Sequence, residues 1–264
     1  DEGIRVVGGA ITDLTGAVLA EAFVDFKVKK NFLDDYDRKR NTQPLSDEVS
    51  RQFQLIFQGI VDSTFAAATA LGLDEQLVRD RLAAFELDDI EISTRDLSGD
   101  ALADEISAVF SAVFDDVAEA IVPMITEFQR VGEGAAETLV RVATNVEAVR
   151  RQFETLDIAL PASGVLGQAA AATAIVDATG GLEGFFGLTN DYMELVLTET
   201  ERMDALRGNV GRALESLLGE GAAGLVPTSR EEVQALISGF EVVDEAIAAT
   251  FASLLSLVPA FEEL

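Results

Sequence analysis

Residues 98–153 decide the fold and read SGDALADEISAVFSAVFDDVAEAIVPMITEFQRVGEGAAETLVRVATNVEAVRRQF. Their apolar residues recur at steps of three and four, which places them on one stripe of an α-helix. The first stripe contains Leu102, Ile106, Val109, Phe110, Val113, Val117, Ile121, Met124, Ile125 and Phe128, and the second contains Leu139, Val142, Val146, Val149 and Phe153. The stretch therefore predicts a hairpin of two amphipathic helices.

Local signals predict where these two helices begin and end. Ser98 or Asp100 can cap the first helix, and Pro123 predicts a kink or break near its end. The tripeptide Gly-Glu-Gly at 132–134 predicts the turn between the helices.

The second helix also has a polar face. On this face the spacing of Glu137 and Arg141 predicts an i,i+4 ion pair, worth roughly a few tenths of a kcal/mol. The same face is expected to carry Asn145, Glu147, Arg150 and Arg151.

The residue identities at 121–146 are more specific than their hydrophobic periodicity. The stretch IVPMITEFQRVGEGAAETLVRVATNV resembles a block of the tail tape-measure proteins of long-tailed bacteriophages, roughly F-Q-x-x-G-E-x-x-x-E-T-L-V-R-V-A-T. The matching residues are Phe128, Gln129, Gly132, Glu133, Glu137, Thr138, Leu139, Val140, Arg141, Val142, Ala143 and Thr144. The block is not a catalytic signature, so it predicts a family and no catalytic site.

A second stretch resembles another block of the same family. It reads VPTSREEVQALI at 226–237 and is followed by a leucine-rich pattern and by Pro259-Ala-Phe261. The junction of a strand at 85–93 with the helix after Leu97 is similar to the family as well. The resemblance spans the chain from about Phe23 to Phe261.

The resemblance implies a function and a set of partners. It identifies the chain as the C-terminal, post-rod region of a tape-measure protein, made in the bacterial host cytoplasm and carried in the virion at the tail lumen or tip. The implied partners are tail-tip or baseplate hub proteins and the tail tube, with the chain present as a homotrimer. The implied roles are tail assembly, length control and DNA delivery.

The chain itself does not have the pattern of a length-setting rod. An α-helix rises ~1.5 Å per residue, so a ruler must be long, extended and repetitive. Glycines, prolines and short strands interrupt this sequence instead. We therefore predict a mainly α fold of folded-back helical hairpins or a bundle, with a small antiparallel β-element whose strands lie near 23–30 and 85–93. The first residue is not methionine, which suggests a fragment or processed product.

Composition limits the function classes. The chain has 264 residues, 48% hydrophobic, with a mean hydropathy of +0.24, which supplies enough apolar material for a core. Its 47 acidic and 19 basic residues give a net charge of -28. Such a field repels nucleic acid and anionic membrane surfaces, so no specific nucleic-acid binding is predicted.

Chemistry-bearing residues are few. The sequence has neither cysteine nor histidine, which excludes disulfides, thiolate nucleophiles and the Ser-His-Asp triad. Carboxylate pairs such as Glu133 with Glu137, or Glu231 with Glu232, leave a cell-wall hydrolase as an alternative, but solvated helix faces explain them better. The aspartates at 34–37 and 88–89 do not form a calcium-loop pattern. We predict no enzyme activity, cofactor or metal site.

Residues 1–97 predict the β-element and two helices. Residues 3–20 are apolar and rich in glycine, and they predict a loose helix. Alternation from Phe23 to Lys30 predicts a strand, which turns at 31–35 and returns at 36–42 as a polar strand or a loop. The sequence of this hairpin holds a basic cluster: Lys27, Lys29, Lys30, Arg38, Lys39 and Arg40. These residues protect a strand edge, or else dock to an acidic partner or to the acidic helices of this protein.

Two helices and a second strand follow this hairpin. Ser46 caps a long helix that stops at Gly72, and Asp74 caps a short helix. Residues 85–93 predict the second strand, with a bulge at Asp88-Asp89.

Residues after 156 change in character. Residues 158–176 contain no charge over 19 residues, which fits a connector and a buried alanine-rich helix but leaves a membrane-active, channel-forming segment as an alternative, with transient membrane contact. The segment at 246–261 supports the same alternative. Residues 182–218 predict one long helix with weak points at glycines 187, 208 and 211.

The C-terminal part predicts a linker and a helical hairpin. Residues 219–224 predict a linker, Thr228 and Glu231 predict a capping box, and 242–257 predicts a final helix. The chain is thus divided into segments 1–97, 98–160, 161–224 and 225–264.

Overall fold

The structure is a computed structural model that describes residues 2–29, 36–95, 97–156, 158, 160, 164–219, 221–227 and 229–238. Two compact units make up the chain, the first comprising Asp1–Glu147 and Pro161–Thr173 and the second Ala148–Leu160 and Ala174–Leu264. The fold is mainly α with a small antiparallel sheet, which confirms the predicted fold class. The four segments drawn from the sequence stay predictions.

The first unit contains the sheet. Its strands are β1 (Glu2–Val6), β2 (Gly9–Ala10), β3 (Ala20–Lys29), β4 (Tyr36–Pro44), β5 (Glu86–Leu87) and β6 (Ile90–Ser93). Four of them form an antiparallel sheet in the order β4-β3-β1-β6, and β2 pairs with β5 separately. Of the two alternatives at 36–42, the polar strand is correct.

The prediction of a loose helix at 3–20 is wrong. Residues Glu2–Val6 form a central strand, and the helical part is limited to one turn, α1 (Ile11–Leu14). Gly3 explains the difference because it allows close strand packing: a Cβ there would lie 2.8 Å from the ring of Phe23. The same Cβ would lie even closer to the backbone oxygen of Ile92 on β6, so both partner strands require the glycine, and it does not mark a flexible helix.

The prediction of one bulged strand at 85–93 is also wrong. Asp88 and Asp89 separate β5 from β6, and the two strands pair with different partners. Asp89 stabilises the connection between β5 and β6, because it accepts the N–H of Gly8 at 2.9 Å and pairs with Arg5. Both contacts hold the pKa of Asp89 below its ordinary value, and the hydrogen bond from the N–H of Gly8 is the largest single cause.

Helices cover the rest of the first unit. They are α2 (Asp47–Ala70), α3 (Glu75–Ala84) and α4 (Asp100–Ile121), followed by a 3₁₀ helix (Pro123–Phe128) and by α5 (Ala135–Thr155), which continues into the second unit. The predicted caps are confirmed for α2 and α3, where Ser46 and Asp74 accept backbone N–H groups. Phe53, Phe57 and Phe110 form an aromatic cluster between α2 and α4, with ring centroids 5.5 and 5.6 Å apart.

Two local signals in the predicted hairpin have different outcomes. The break at Pro123 is confirmed, since α4 ends before it and a 3₁₀ helix follows. The cap by Ser98 or Asp100 is wrong, because Gly99 occupies the N-cap position with φ +54° and no side chain caps the helix.

The second unit contains α7 (Leu182–Leu195), α8 (Glu199–Leu218), a 3₁₀ helix (Ala222–Leu225) and α9 (Arg230–Ser238), and α6 (Gly164–Ala178) is shared with the first unit. The single long helix predicted at 182–218 is wrong. Its break falls at residues 196–198 and not at a glycine, because Thr198 and Glu201 form a reciprocal capping box that starts α8.

The predicted linker at 219–224 is wrong as well. Ala222 is buried against Val210 and Leu214 of α8. The partly buried residues around this cluster are Leu218, Val226, Val233, Leu236 and Ile237. Apolar packing therefore folds the chain back onto α8 instead of leaving a spacer.

The start of α9 differs slightly from the prediction. Ser229 Oγ accepts the N–H of Glu232 at 3.2 Å, one residue later than the predicted box. Lys30, the turn at 31–35, Thr228, the helix at 242–257 and the segment 259–261 lie outside the described residues.

Candidate functional site

Several residues of the sequence block at 128–144 meet at the start of α5. The 3₁₀ helix ends at Phe128, residues 131–132 form a turn, and the chain returns to α4, where Asp115 accepts the N–H of Ala136. Gly132 has φ +89°, in the left-handed region that glycine adopts without a Cβ penalty. The predicted turn at 132–134 is confirmed.

Glu133 and Arg141 form the centre of this turn. Arg141 Nε donates to Glu133 Oε1 at 2.7 Å, and Arg141 Nη2 donates to Oε2 at 2.7 Å. The two side chains are 17% and 13% exposed. This two-pronged geometry is the strong form of an ion pair, and its shielding from solvent limits screening.

The i,i+4 pair predicted for Arg141 is therefore replaced by another partner. Glu137 is exposed, whereas Glu133 precedes the helix and its carboxylate reaches the guanidinium of Arg141. A shielded, two-pronged pair is favoured over an exposed pair on the helix surface.

Other groups of the block converge on the same pair. Arg141 Nη2 also donates to the carbonyl oxygen of Phe128 at 2.7 Å, and Gln129 Nε2 donates to that of Glu133 at 2.5 Å. Thr138 Oγ1 lies 3.1 Å from Glu133 Oε2. We call Phe128, Gln129, Glu133, Thr138 and Arg141 the hairpin joint.

The helix before the turn also contributes to the joint. Asp115 Oδ1, on α4, accepts the N–H of Ala136 in the first turn of α5 at 2.8 Å. A Cβ at Gly134 would lie 2.8 Å from the carboxyl carbon of Asp115, so glycine permits this approach. Sequence reasoning missed Asp115, because no local pattern links a mid-helix aspartate to a helix start 21 residues later.

The electrostatics of the joint keep Glu133 ionised. The hydrogen bond from Arg141 lowers the pKa of Glu133 to about 2, helped by the N–H of Arg130 and by Thr138 and opposed by burial. A carboxylate of this kind accepts hydrogen bonds and does not donate a proton near neutral pH. Near neutral pH this carboxylate therefore holds the turn as a hydrogen-bond acceptor and does not serve as a general acid.

The remaining block residues divide between core and surface. Leu139, Val142 and Ala143 are buried, whereas Val140 and Thr144 are exposed. Asn145, expected on the polar face, is instead 3% exposed. The hairpin joint and the buried stripe together account for most of the matched positions.

The basic cluster lies on β3 and β4. Arg40 is bound within the sheet: it pairs with Asp25 at 2.8 Å and with Glu91, and its guanidinium lies 4.1 Å from the centroid of the Phe23 ring. These carboxylates, Asp25 first, raise the pKa of Arg40. Lys39 is exposed.

The other members of the cluster are placed by their backbone. Lys27 and Arg38 are register partners, and Lys29 pairs with Tyr36. Lys30 lies outside the described residues.

The membrane alternative concerns the helices of the second half of the chain. Within the described part of the chain, no single helix is long and apolar enough to cross a membrane. Helices α6 and α7 reach that length and hydropathy only as a pair, bent by 83°. The segment 246–261 is not among the described residues.

Comparison of the chain with protein-family models, curated proteins and solved structures found no match.

Proposed function

We propose that this chain is a structural component of a bacteriophage tail. In this proposal it is a globular, post-rod part of a tape-measure protein, and it docks to tail-tip or baseplate hub proteins. It would support tail assembly, length control and DNA delivery as a homotrimer within the virion.

The hairpin joint is the observation that carries this proposal. Five residues of the block resembling tape-measure proteins contact one another around Glu133 and Arg141. They reverse the chain between the 3₁₀ helix and α5, which is what a folded-back region beyond a rod requires. A rod would need these two helices to continue in one direction.

Charge adds a second line of support. The net charge of -28 repels the phosphate backbone, and a tail lumen through which DNA slides benefits from a surface that does not retain it. The exposed Glu137 beside the joint belongs to this acidic surface.

Labelling of intact virions tests the proposal. Antibodies against the purified chain are bound to tailed phage particles whose genome encodes the chain. They are located by gold labelling in electron microscopy, on both intact particles and particles whose tails have been opened. The proposal predicts label at the tail end distal to the head, abolished when the antibodies are first absorbed with the chain. Absence of the chain from purified particles by mass spectrometry would contradict it.

A membrane-active segment is the second candidate, favoured by the bent pair α6–α7. Helix α7 exposes Leu188 and Leu195 at 58% and 80%. Vesicle flotation tests this alternative with Leu188→Asp and Leu195→Asp, and Asn190→Asp serves as the control of equal charge. Flotation lost only in the two leucine variants would favour membrane insertion.

The carboxylate hydrolase is the weaker alternative. A general acid needs a raised pKa, whereas Arg141 lowers that of Glu133 to about 2. Release of soluble fragments from peptidoglycan, lost in Glu133→Gln or Glu137→Gln, would be the evidence for it.

A further inference from the structure

The β3–β4 hairpin extends beyond the four-stranded sheet. Strand β1 pairs with β3 only at residues 20–24, whereas β4 follows β3 as far as Lys29. Residues 25–29 and 36–40 therefore form a two-stranded ribbon with no third strand among the described residues. We call this ribbon the β-arm. A two-stranded ribbon is only marginally stable by itself, and a third strand would stabilise it.

The outer edge of β4 offers backbone groups for such a strand. Leu45 N–H donates to the carbonyl oxygen of Ala20, and directions alternate along an antiparallel strand. The N–H and C=O groups that point away from β3 are therefore those of Tyr36, Arg38, Arg40 and Thr42. Pro44, which has no N–H, shares their parity, as expected on an edge. In the part of the chain that the structure describes, β4 pairs with β3 alone.

The sequence of the hairpin is the basic region of an acidic protein. Residues 27–40 hold six basic and three acidic residues, including all four lysines of the chain, whereas the rest holds 13 basic and 44 acidic residues. Like charges directly opposite each other on paired strands are destabilising, and opposite charges are stabilising. The cluster therefore disfavours pairing with the same edge of a second copy and favours an acidic strand.

We propose that the β-arm, together with the adjoining Thr42 of β4, binds an extended acidic segment of a partner protein, which adds as a strand along the outer edge of β4. The inference rests on the docking role proposed above and specifies how the partner is held. Backbone hydrogen bonds to Arg38, Arg40 and Thr42 provide the register, and the basic residues select for acidic side chains.

Peptide binding tests the backbone part of this inference. The probe is a fluorescent nine-residue peptide that alternates glutamate with threonine, measured by fluorescence anisotropy at low salt. We expect it to bind, and we expect N-methylation of alternate residues on its hydrogen-bonding edge to abolish binding. A lysine-for-glutamate version should not bind. Equal affinity of the N-methylated peptide would overturn strand addition, and so would failure of the acidic peptide to bind.

Variants of the protein test the same edge. Thr42→Pro removes an outward N–H and should weaken binding about tenfold, whereas Thr42→Ala, which keeps it, should bind as wild type. Lys39→Glu should also weaken binding, by up to about tenfold. Arg207→Glu, an exposed site in the second unit with the same charge change, is the control. Far-UV circular dichroism establishes that each variant is folded.

The outcomes separate this inference from the proposed function. Tail labelling without peptide binding would overturn strand addition and leave the tail assignment in place. Peptide binding without tail labelling would support strand addition and overturn the tail assignment. Self-association in sedimentation velocity that is lost in Lys39→Glu would identify a second copy as the occupant and overturn the acidic partner.

Discussion

The same tripeptide, Gly-Glu-Gly, occurs at 132–134 and at 219–221, and the chain reverses at both places by different means. In the first unit the reversal is held by ionic contacts between Glu133 and Arg141. In the second it is held by Ala222, which is buried against α8. Glycine supplies the left-handed conformation in each case, with φ +89° at Gly132 and +88° at Gly221.

The residues after each tripeptide account for the difference. Gly134 is followed by a helix that brings Thr138 and Arg141 back over the turn. After Gly221 come the apolar residues Ala222, Leu225 and Val226, which carry no charge and cannot form an ion pair. At these two places the Gly-Glu-Gly tripeptide therefore marks where the chain turns, and the side chains that follow determine whether polar or apolar contacts stabilise the turn.

The largest effect on stability is expected at the reversal after α8, which apolar packing holds. Leu214 is fully buried in the cluster with Val210 and Ala222. Leu214→Ala should lower the free energy of unfolding by about 3 kcal/mol, because it leaves a cavity. Urea unfolding followed by circular dichroism measures this. Leu225→Ala, at a side chain 54% exposed, is the control, and equal losses in the two variants would contradict apolar packing as the stabilising force.

The ionic reversal should depend on Arg141. Arg141→Ala should cost about 2 kcal/mol, because the shielded Glu133 carboxylate loses its cation and the Phe128 carbonyl loses a donor. The same urea measurement applies. Glu137→Gln should change the stability by less than about 0.5 kcal/mol, since Glu137 is exposed. An unchanged Arg141→Ala protein would show that the ion pair does not hold the turn.

At acid pH the wild type should no longer be more stable to unfolding than the Arg141→Ala variant. The folded-state pKa of Glu133, about 2, lies below its ordinary value of 4.5. Ionised Glu133 therefore stabilises the fold above about pH 4.5, and the contribution is lost as the pH falls from 4.5 towards 2. The free energies of unfolding of the wild type and of Arg141→Ala should converge across that pH range, by up to about 2 kcal/mol. A constant difference would place the effect of Arg141 elsewhere.

The sequence predicted features whose causes are local. Ser46 and Asp74 cap helices with groups three residues away, and Pro123 ends a helix through its own ring, so all three predictions are confirmed. The capping box at Thr198 and Glu201 has an equally local cause, and its Thr-x-x-Glu spacing is a readable signal for the start of α8.

Features with distant causes could not be predicted in this way. The strand at Glu2–Val6 depends on β3 and β6, and the latter lies more than 80 residues along the chain. The partner of Arg141 depends on where α5 begins. The i,i+4 rule selects Glu137, whereas Glu133 reaches Arg141 because it lies in the turn before the helix. Docking and tail function stay predictions for the same reason, since their partners lie outside the chain.

The smallest effects should come from the glycines of the two reversals. Gly132→Ala and Gly221→Ala should each cost about 1 kcal/mol, because both have positive φ and open space around the missing Cβ. Gly187, inside α7 and also in open space, is the control, and Gly187→Ala should stabilise by up to about 1 kcal/mol. Thermal unfolding measures all three. A larger loss at one reversal would show that its glycine contributes more than conformation.

A double-mutant cycle on Glu133 and Arg141 tests most directly the claim that the block at 128–144 is a structural joint. The singles Glu133→Gln and Arg141→Ala and the double variant give the coupling energy, and Glu137→Gln replaces Glu133→Gln in a parallel cycle. We predict a coupling of about 1–2 kcal/mol for Glu133 with Arg141 and less than about 0.5 kcal/mol for Glu137 with Arg141. A coupling confined to Glu137, or absent from both cycles, would contradict the account.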